Sequence, residues 1–338
     1  MTINKFDLHL STGRNPIIRV SGSLIPLVKK AVITAEDMKG YVDIFLSKEG
    51  KEVLARDKDA DFSYNLTHAR FRGHVYYRQG DLAIALRLIP KNIRTLAELS
   101  LPPILETFTR RSQGFFLVVG PIGQGKTTTL ATMIEMINQT RTEHILTIED
   151  PIEYLFESKK AIIDQREVRI DTPDFANALT AMFREDIDVC MIGEMRDVVT
   201  MGTAVTAAET GHLVFSTLHT NNAAQTIDRI IDSFPSTQQN QIRVQIAGSL
   251  TGIFSQRLIP RISGGLVPAY ELLINNAAIS NLIREGRTHE INTVIETSSQ
   301  QGMIDMNRSL AELVRAGEIT VESAYTYSMN PKSLERLI

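Results

Sequence analysis

The segment Gly120-Pro121-Ile122-Gly123-Gln124-Gly125-Lys126-Thr127 follows directly on the apolar run Phe115-Phe116-Leu117-Val118-Val119. It has the spacing of a phosphate-binding loop, G-x-x-x-x-G-K-[ST], in the setting that gives such a loop its shape: a buried strand, a glycine-rich turn, and a helix opening at the lysine. The glycines let the backbone curl until several N–H groups converge on phosphate oxygens. The helix start adds the positive end of its dipole. Lys126 has the reach for β- and γ-phosphates. The Thr127 hydroxyl is placed to ligate Mg²⁺, and Thr128 joins the loop residues in binding the nucleotide. A chain built around this loop is expected to be α/β, with mostly parallel strands ending at a nucleotide site.

The rest of the chain sets bounds on that reading. Its 338 residues suffice for two domains. A net charge of −3 provides no field favouring nucleic acid or an anionic membrane, and no basic, aromatic-rich segment suggests a DNA-handling motor. The single cysteine, Cys190, excludes an internal disulfide framework and a multi-cysteine zinc site. Met1 to Asp7 has no signal-peptide pattern, and no apolar stretch approaches the roughly 20 residues that span a bilayer. The expectation is a cytoplasmic protein whose membrane role, if any, comes through partners.

Residues 1–92 read as a small α+β domain. Short strands are expected at Asp7–Leu10, Ile17–Val20 and Asp61–Asn65. A helix should open after Thr34, and a hairpin should join Arg70–Tyr77 to Leu82–Leu88. The segment Ile89-Pro90-Lys91-Asn92-Ile93-Arg94 leaves the hairpin, and 93–103 reads as a linker. From there to residue 270, strands at Phe115–Val119, Ile145–Ile148, Ala161–Ile163, Val189–Ile192 and Leu213–Ser216 alternate with helices at Lys126–Gln139, Pro173–Arg184 and Val198–Thr210. After Pro235 the chain is expected to be mainly helical, with 271–338 as a helical C-terminal region.

Three further groups stand where a parallel sheet would aim them at the loop. Ile145–Glu153 is an apolar strand ending in Glu149, Asp150 and Glu153. Val189–Glu194 is another, ending in Glu194. Nucleotide hydrolysis needs one carboxylate near the metal and another group to orient or deprotonate water, and either acid suits either task. Gly211–Asn221 is a third such strand. It carries His219 at its carboxyl end, which either contacts phosphate or is structural, and His212 at the far end. On the hairpin, the period of two puts Arg70, Arg72, His74 and Arg78 on one face, with Arg87 on the return strand. That face is either a source of arginine fingers or a solvated basic surface.

In combination these motifs make the chain resemble the type IV pilus retraction ATPases, the PilT family of secretion-type P-loop ATPases, from about Asp7 to Ile338. Gly120–Thr127 matches the Walker A loop and Ile148–Glu153 the aspartate box. Ile192–Asp197 matches the atypical Walker B, with Glu for the usual Asp, and His212–Asn222 matches the histidine box. Arg70–Arg72 and Leu88–Pro102 match the N-terminal hairpin and linker. The resemblance implies a PAS-like N-terminal domain, a RecA-like ATPase core with a helical C-terminal part, and a homohexamer binding ATP and Mg²⁺. It also implies work on pilus machinery through an inner-membrane platform protein, without direct insertion in the membrane. It implies Glu153 as general base, Glu194 near Mg²⁺ directly or through water, and His219 as γ-phosphate sensor, with His212, the box's second histidine, among the nucleotide-binding residues. Arg72 and Arg87 take the place of arginines reaching a neighbouring subunit's nucleotide. The absent zinc cysteines favour retraction over the related extension and type II secretion ATPases. A nucleotide-gated accessory subunit is the other alternative. Two positions depart from the family pattern. Gln124 stands where Ser or Ala is usual, and Ser280 replaces Arg in the retraction motif Ala278–Glu285.

Overall fold

The computed structural model describes residues 7–20, 23–66, 69–89 and 92–338. Pro90 and Lys91 of the expected exit from the hairpin, and the first six residues, lie outside the described residues. By its contacts the chain forms two compact units. One is Met1–Asn92 with Glu153–Leu155; the other is Ile93–Ile152 with Phe156–Ile338.

The smaller unit runs β1 (Asp7–Ser11), β2 (Ile17–Val20), β3 (Ser23–Pro26), α1 (Ala35–Phe45), α2 (Lys48–Asp57), β4 (Asp59–Leu66), β5 (Ala69–Arg78) and β6 (Asp81–Ile89). Its strands form one antiparallel sheet in the order β3-β2-β1-β6-β5-β4. Thr34 caps α1 as expected: the Asp37 N–H donates to its hydroxyl at 3.1 Å, and the Thr34 N–H donates to the Asp37 carboxylate at 2.8 Å. Helix α2 was not expected; Ser47 caps it, accepting from Gly50 N–H at 3.1 Å. Gln79 and Gly80, both at positive φ, close the β5–β6 hairpin. Met38, Leu54, Phe62 and Val75 share the core under one sheet face. A Cβ at Gly73 would lie 2.0 Å from the Phe62 ring, so only glycine lets β5 pack there. Residues 71, 73 and 75 therefore face the core, and Arg70, Arg72 and His74 take the other face.

The larger unit runs α3 (Glu106–Thr109), β7 (Gly114–Val119), α4 (Lys126–Thr140), β8 (His144–Glu149), β9 (Ile162–Glu167), α5 (Phe175–Met182), β10 (Val189–Ile192), α6 (Val198–Glu209), β11 (Leu213–Leu218), α7 (Ala223–Asp232), α8 (Ser236–Ser249), β12 (Leu250–Pro260), β13 (Leu266–Ile274), α9 (Ala277–Glu285), α10 (Ile291–Thr297), α11 (Met306–Arg315), α12 (Val321–Tyr327) and α13 (Pro331–Glu335). The sheet order is β13-β12-β7-β11-β10-β8-β9, parallel throughout except for the β12–β13 hairpin. Strand β7 shows why its sequence reads as a continuous apolar run. Phe115, Leu117 and Val119 pack on one side of the sheet with α5 to α9, while Phe116 and Val118 pack on the other with α3 and α4.

The expectation of a mainly helical chain after Pro235 is corrected here. Leu250–Pro260 and Leu266–Ile274 are long strands, and β12 lies beside β7, one strand in from the β13 edge of the sheet. Ser255-Gln256-Arg257 interrupts the apolar pattern of β12, which hides the strand in the sequence; all three are buried. Residue 270 falls inside β13, on which α11 also packs, and both sides of that position belong to the larger unit.

Candidate nucleotide site

The phosphate loop joins β7 to α4 at the carboxyl end of the sheet. Gly120 has φ +147° and Gly125 has φ +81°. A Cβ at Gly120 would sit 2.5 Å from the Gln256 carbonyl oxygen, and one at Gly125 would sit 3.0 Å from Gln256 Nε2. Between them, Ile122 and Gly123 form the exposed tip, with Pro121 and Gln124 half-buried on either side. Gly125 is the N-cap of α4 and has no side chain to cap it, so the first-turn N–H groups are left for an anion. Thr127 and Thr128 are half-buried in that first turn.

Lys126 is buried. Its ammonium donates to Gly120 O at 2.8 Å and Pro121 O at 3.0 Å, and it lies 3.1 Å from His219 Nδ1. An ammonium only donates, so Nδ1 accepts and the ring proton sits on Nε2. Nε2 lies 3.1 Å from the Glu194 carboxylate, which also pairs with Arg196. Burial, then the charges of Lys126 and Arg196, push the His219 pKa below its ordinary 6.5, so the ring is neutral at neutral pH. Strand order explains the meeting. β7, β11 and β10 are adjacent and parallel, so Lys126, His219 and Glu194 follow the carboxyl ends of three neighbouring strands.

Other expected residues fall elsewhere. His212 precedes β11 and His219 follows it, so the strand's length separates them, about 23 Å at ~3.3 Å per residue. Its Nδ1 lies 3.1 Å from Ala207 O and its ring meets Phe183 edge-on, so it secures the end of α6 rather than the phosphate loop. Asp197, within the Walker B match, caps α6 by accepting from Thr200 N–H at 2.8 Å. Glu153 is exposed, and by its contacts it belongs with the smaller unit. In that unit Arg72 and Arg87 stand directly opposite one another on β5 and β6, lining a groove of about 410 Å³ with Asp7, His9 and His74. Arg87 donates to both Asp7 oxygens, at 2.8 and 3.2 Å, and Asp7, then Glu153 more weakly, raise its pKa. Ser280 donates to Ala247 O at 2.9 Å, so it faces the protein interior.

The sequence reading missed the residues of β12. Gln256 Nε2 donates to the Gln124 carbonyl oxygen at 2.8 Å, and Gln256 Oε1 accepts from Thr129 Oγ1 at 2.7 Å. Arg257 donates to Asn221 O at 3.2 Å and Asn221 Oδ1 at 3.0 Å, beside His219. One strand thus ties the phosphate loop to the histidine loop. The available signal was the polar triplet inside an apolar run.

The residues suit a nucleoside triphosphate with Mg²⁺. The loop is a cradle that side chains would fill, and its lysine already binds oxygen acceptors. No group of three or more His, Cys, Asp or Glu able to hold a metal exists among the described residues. Mg²⁺ takes one or two protein oxygens and completes its shell with phosphates and water.

Fold and loop together define a P-loop ATPase, with a histidine beside the loop lysine and a glutamate beside that histidine. The profile of the family described as "Type II/IV secretion system protein" matches residues 78–317. A twitching motility protein of Neisseria gonorrhoeae is 43% identical over 94% of this chain and 86% of its own length. The type IV pilus retraction ATPase PilT of Pseudomonas aeruginosa is 41% identical over 97% and 95%. A crystal structure of the pilus retraction motor PilT with bound ADP superposes with a TM-score of 0.93, at 46% identity, covering 99% of this chain and 96% of that one. The chain belongs to the type II/IV secretion ATPases, in their PilT family of retraction ATPases.

Proposed function

We propose that the chain hydrolyses ATP as the motor of type IV pilus retraction, working as a ring of six copies in the cytoplasm beneath the inner membrane and acting through a platform protein. The observation that carries this reading is the hydrogen-bonded series Lys126–His219–Glu194 at the carboxyl edge of the sheet. Lys126 exchanges Gly120 O and Pro121 O for β- and γ-phosphate oxygens, a trade of like acceptors at little cost. The loop N–H groups and the α4 start hold the remaining phosphate charge. Thr127 and Glu194 would hold Mg²⁺, Glu194 directly or through a water, and the ion when bound would supply positive charge toward the phosphoryl group.

When Lys126 turns to phosphate, His219 Nδ1 loses its donor. A neutral ring then has one acceptor and one N–H to place between the γ-phosphate and Glu194, so its position differs before and after phosphate leaves. Glu153 takes the proton from the attacking water. Arg72 and Arg87 serve as arginine fingers on a neighbouring subunit's nucleotide, with Asp7 holding the Arg87 fork in place until then. No helix among the described residues is long and apolar enough to cross a membrane, which suits attachment through a partner.

The test is particle mass in solution with and without ATP and Mg²⁺, measured alongside phosphate release. Six copies with magnesium-dependent turnover support the motor. Tight ATP binding with no phosphate released would instead indicate an accessory, nucleotide-gated subunit.

A further inference from the structure

Gln124 adds bulk to the phosphate loop, and its partner accounts for it. Strand β12 pairs with β7 only as far as Ser255 with Val119, where β7 gives way to the loop. Beyond that point the Leu258 N–H has no β7 carbonyl to meet. The Gln124 side chain supplies one: its Oε1 accepts from Leu258 N at 2.7 Å. The backbone of the same residue is held too, since Gln124 O accepts from Gln256 Nε2 at 2.8 Å. Gln256 is buried and is itself fixed by Thr129 from the first turns of α4. The side-chain amide thus continues the sheet ladder past the end of β7 and fastens the middle of the loop to β12. A serine or alanine at 124 is too short to reach Leu258.

We propose that Gln124 is a positioning residue that clamps the phosphate loop to β12 and slows release of the product nucleoside diphosphate. The inference rests on the reading of the loop as an ATP site. The loop N–H groups wrap the phosphates, so a diphosphate leaves when the loop opens. Opening must break the Leu258–Gln124 bond, and a bond to a rigid, buried strand opposes it at every excursion. Losing one such hydrogen bond raises the opening frequency about five-fold.

The experiment uses the full chain and a fluorescent ADP analogue displaced by excess ADP in a stopped-flow instrument. It compares the parent with Gln124→Met, which keeps the length and removes the acceptor, and Gln124→Ser, which removes both. Amide hydrogen exchange over the peptide containing Leu258 is followed in the same samples. Both variants should release the analogue about five-fold faster and exchange the Leu258 amide faster. Loss of packing alone would lower the melting temperature without this joint change. Faster amide exchange with unchanged release overturns the clamp while leaving the ATP site standing. A parent that binds no analogue overturns the clamp together with the nucleotide reading.

Discussion

Replacing Glu271 by glutamine removes a proton-binding group that the fold has pushed far from its ordinary range. Glu271 lies on β13, buried, and accepts the Ala223 N–H at 2.8 Å where α7 begins, just past the histidine loop. Burial raises its pKa from 4.5 to about 7, against the pull of that N–H and of Arg257. In the unfolded chain the carboxyl releases its proton near 4.5; in the folded chain it keeps it until about 7. Between those values the folded state binds more protons, so the stability due to this group is full below pH 4.5 and is lost as pH rises through 7. At ~1.36 kcal/mol per pH unit the whole loss is about 3 kcal/mol, of which about 2 kcal/mol falls between pH 5.5 and 8. The Glu271→Gln chain keeps an acceptor for Ala223 and has no such slope. The assay is denaturant unfolding of both chains across that range, following the larger unit. The stability difference, parent minus variant, should fall by about 2 kcal/mol from pH 5.5 to pH 8. Because only the change with pH is read, any pH-independent cost of the glutamine cancels. Parallel curves would refute the argument that burial, rather than Arg257, sets the protonation of Glu271.

Glu153→Gln keeps the size of the side chain and removes the proposed base. Its phosphate release should drop by about two orders of magnitude or more while ATP affinity stays near the parent's; unchanged turnover contradicts the assignment. If Arg72 and Arg87 serve a neighbouring subunit, mixing Arg72→Ala chains with Glu153→Gln chains should restore part of the activity absent from either alone, in steady-state phosphate release. Activity no higher in the mixture than in the separate samples places these arginines in their own subunit's chemistry.

Much of the larger unit is legible in the sequence because phosphate binding dictates residue types at fixed spacing. Gly120, Gly125 and Lys126 could be read from the loop alone. Glu194 and His219 follow from apolar strands ending in polar residues, once the sheet is taken to be parallel. That same strand logic sets His212 at the opposite end of β11, where the structure has it securing α6. Strand β12 was not legible. Its buried Ser255, Gln256 and Arg257 break the apolar pattern because their partners lie on other elements. The role of Gln124 was hidden for the same reason: its partner, Leu258, is 134 residues away in the chain. Helix α2 was missed because it buries few side chains, among them Leu54, and otherwise reads as a charged surface segment.

The loop at Gly120–Thr127 and its neighbours His219 and Glu194 are proposed to form an ATP-hydrolysing site. Phosphate release from ATP with Mg²⁺, compared between the parent and Lys126→Ala, tests it most directly. The parent should complete many turnovers per chain and lose that activity when Mg²⁺ is chelated, and the variant should show none. A parent that releases no phosphate, or a Lys126→Ala chain as active as the parent, contradicts it.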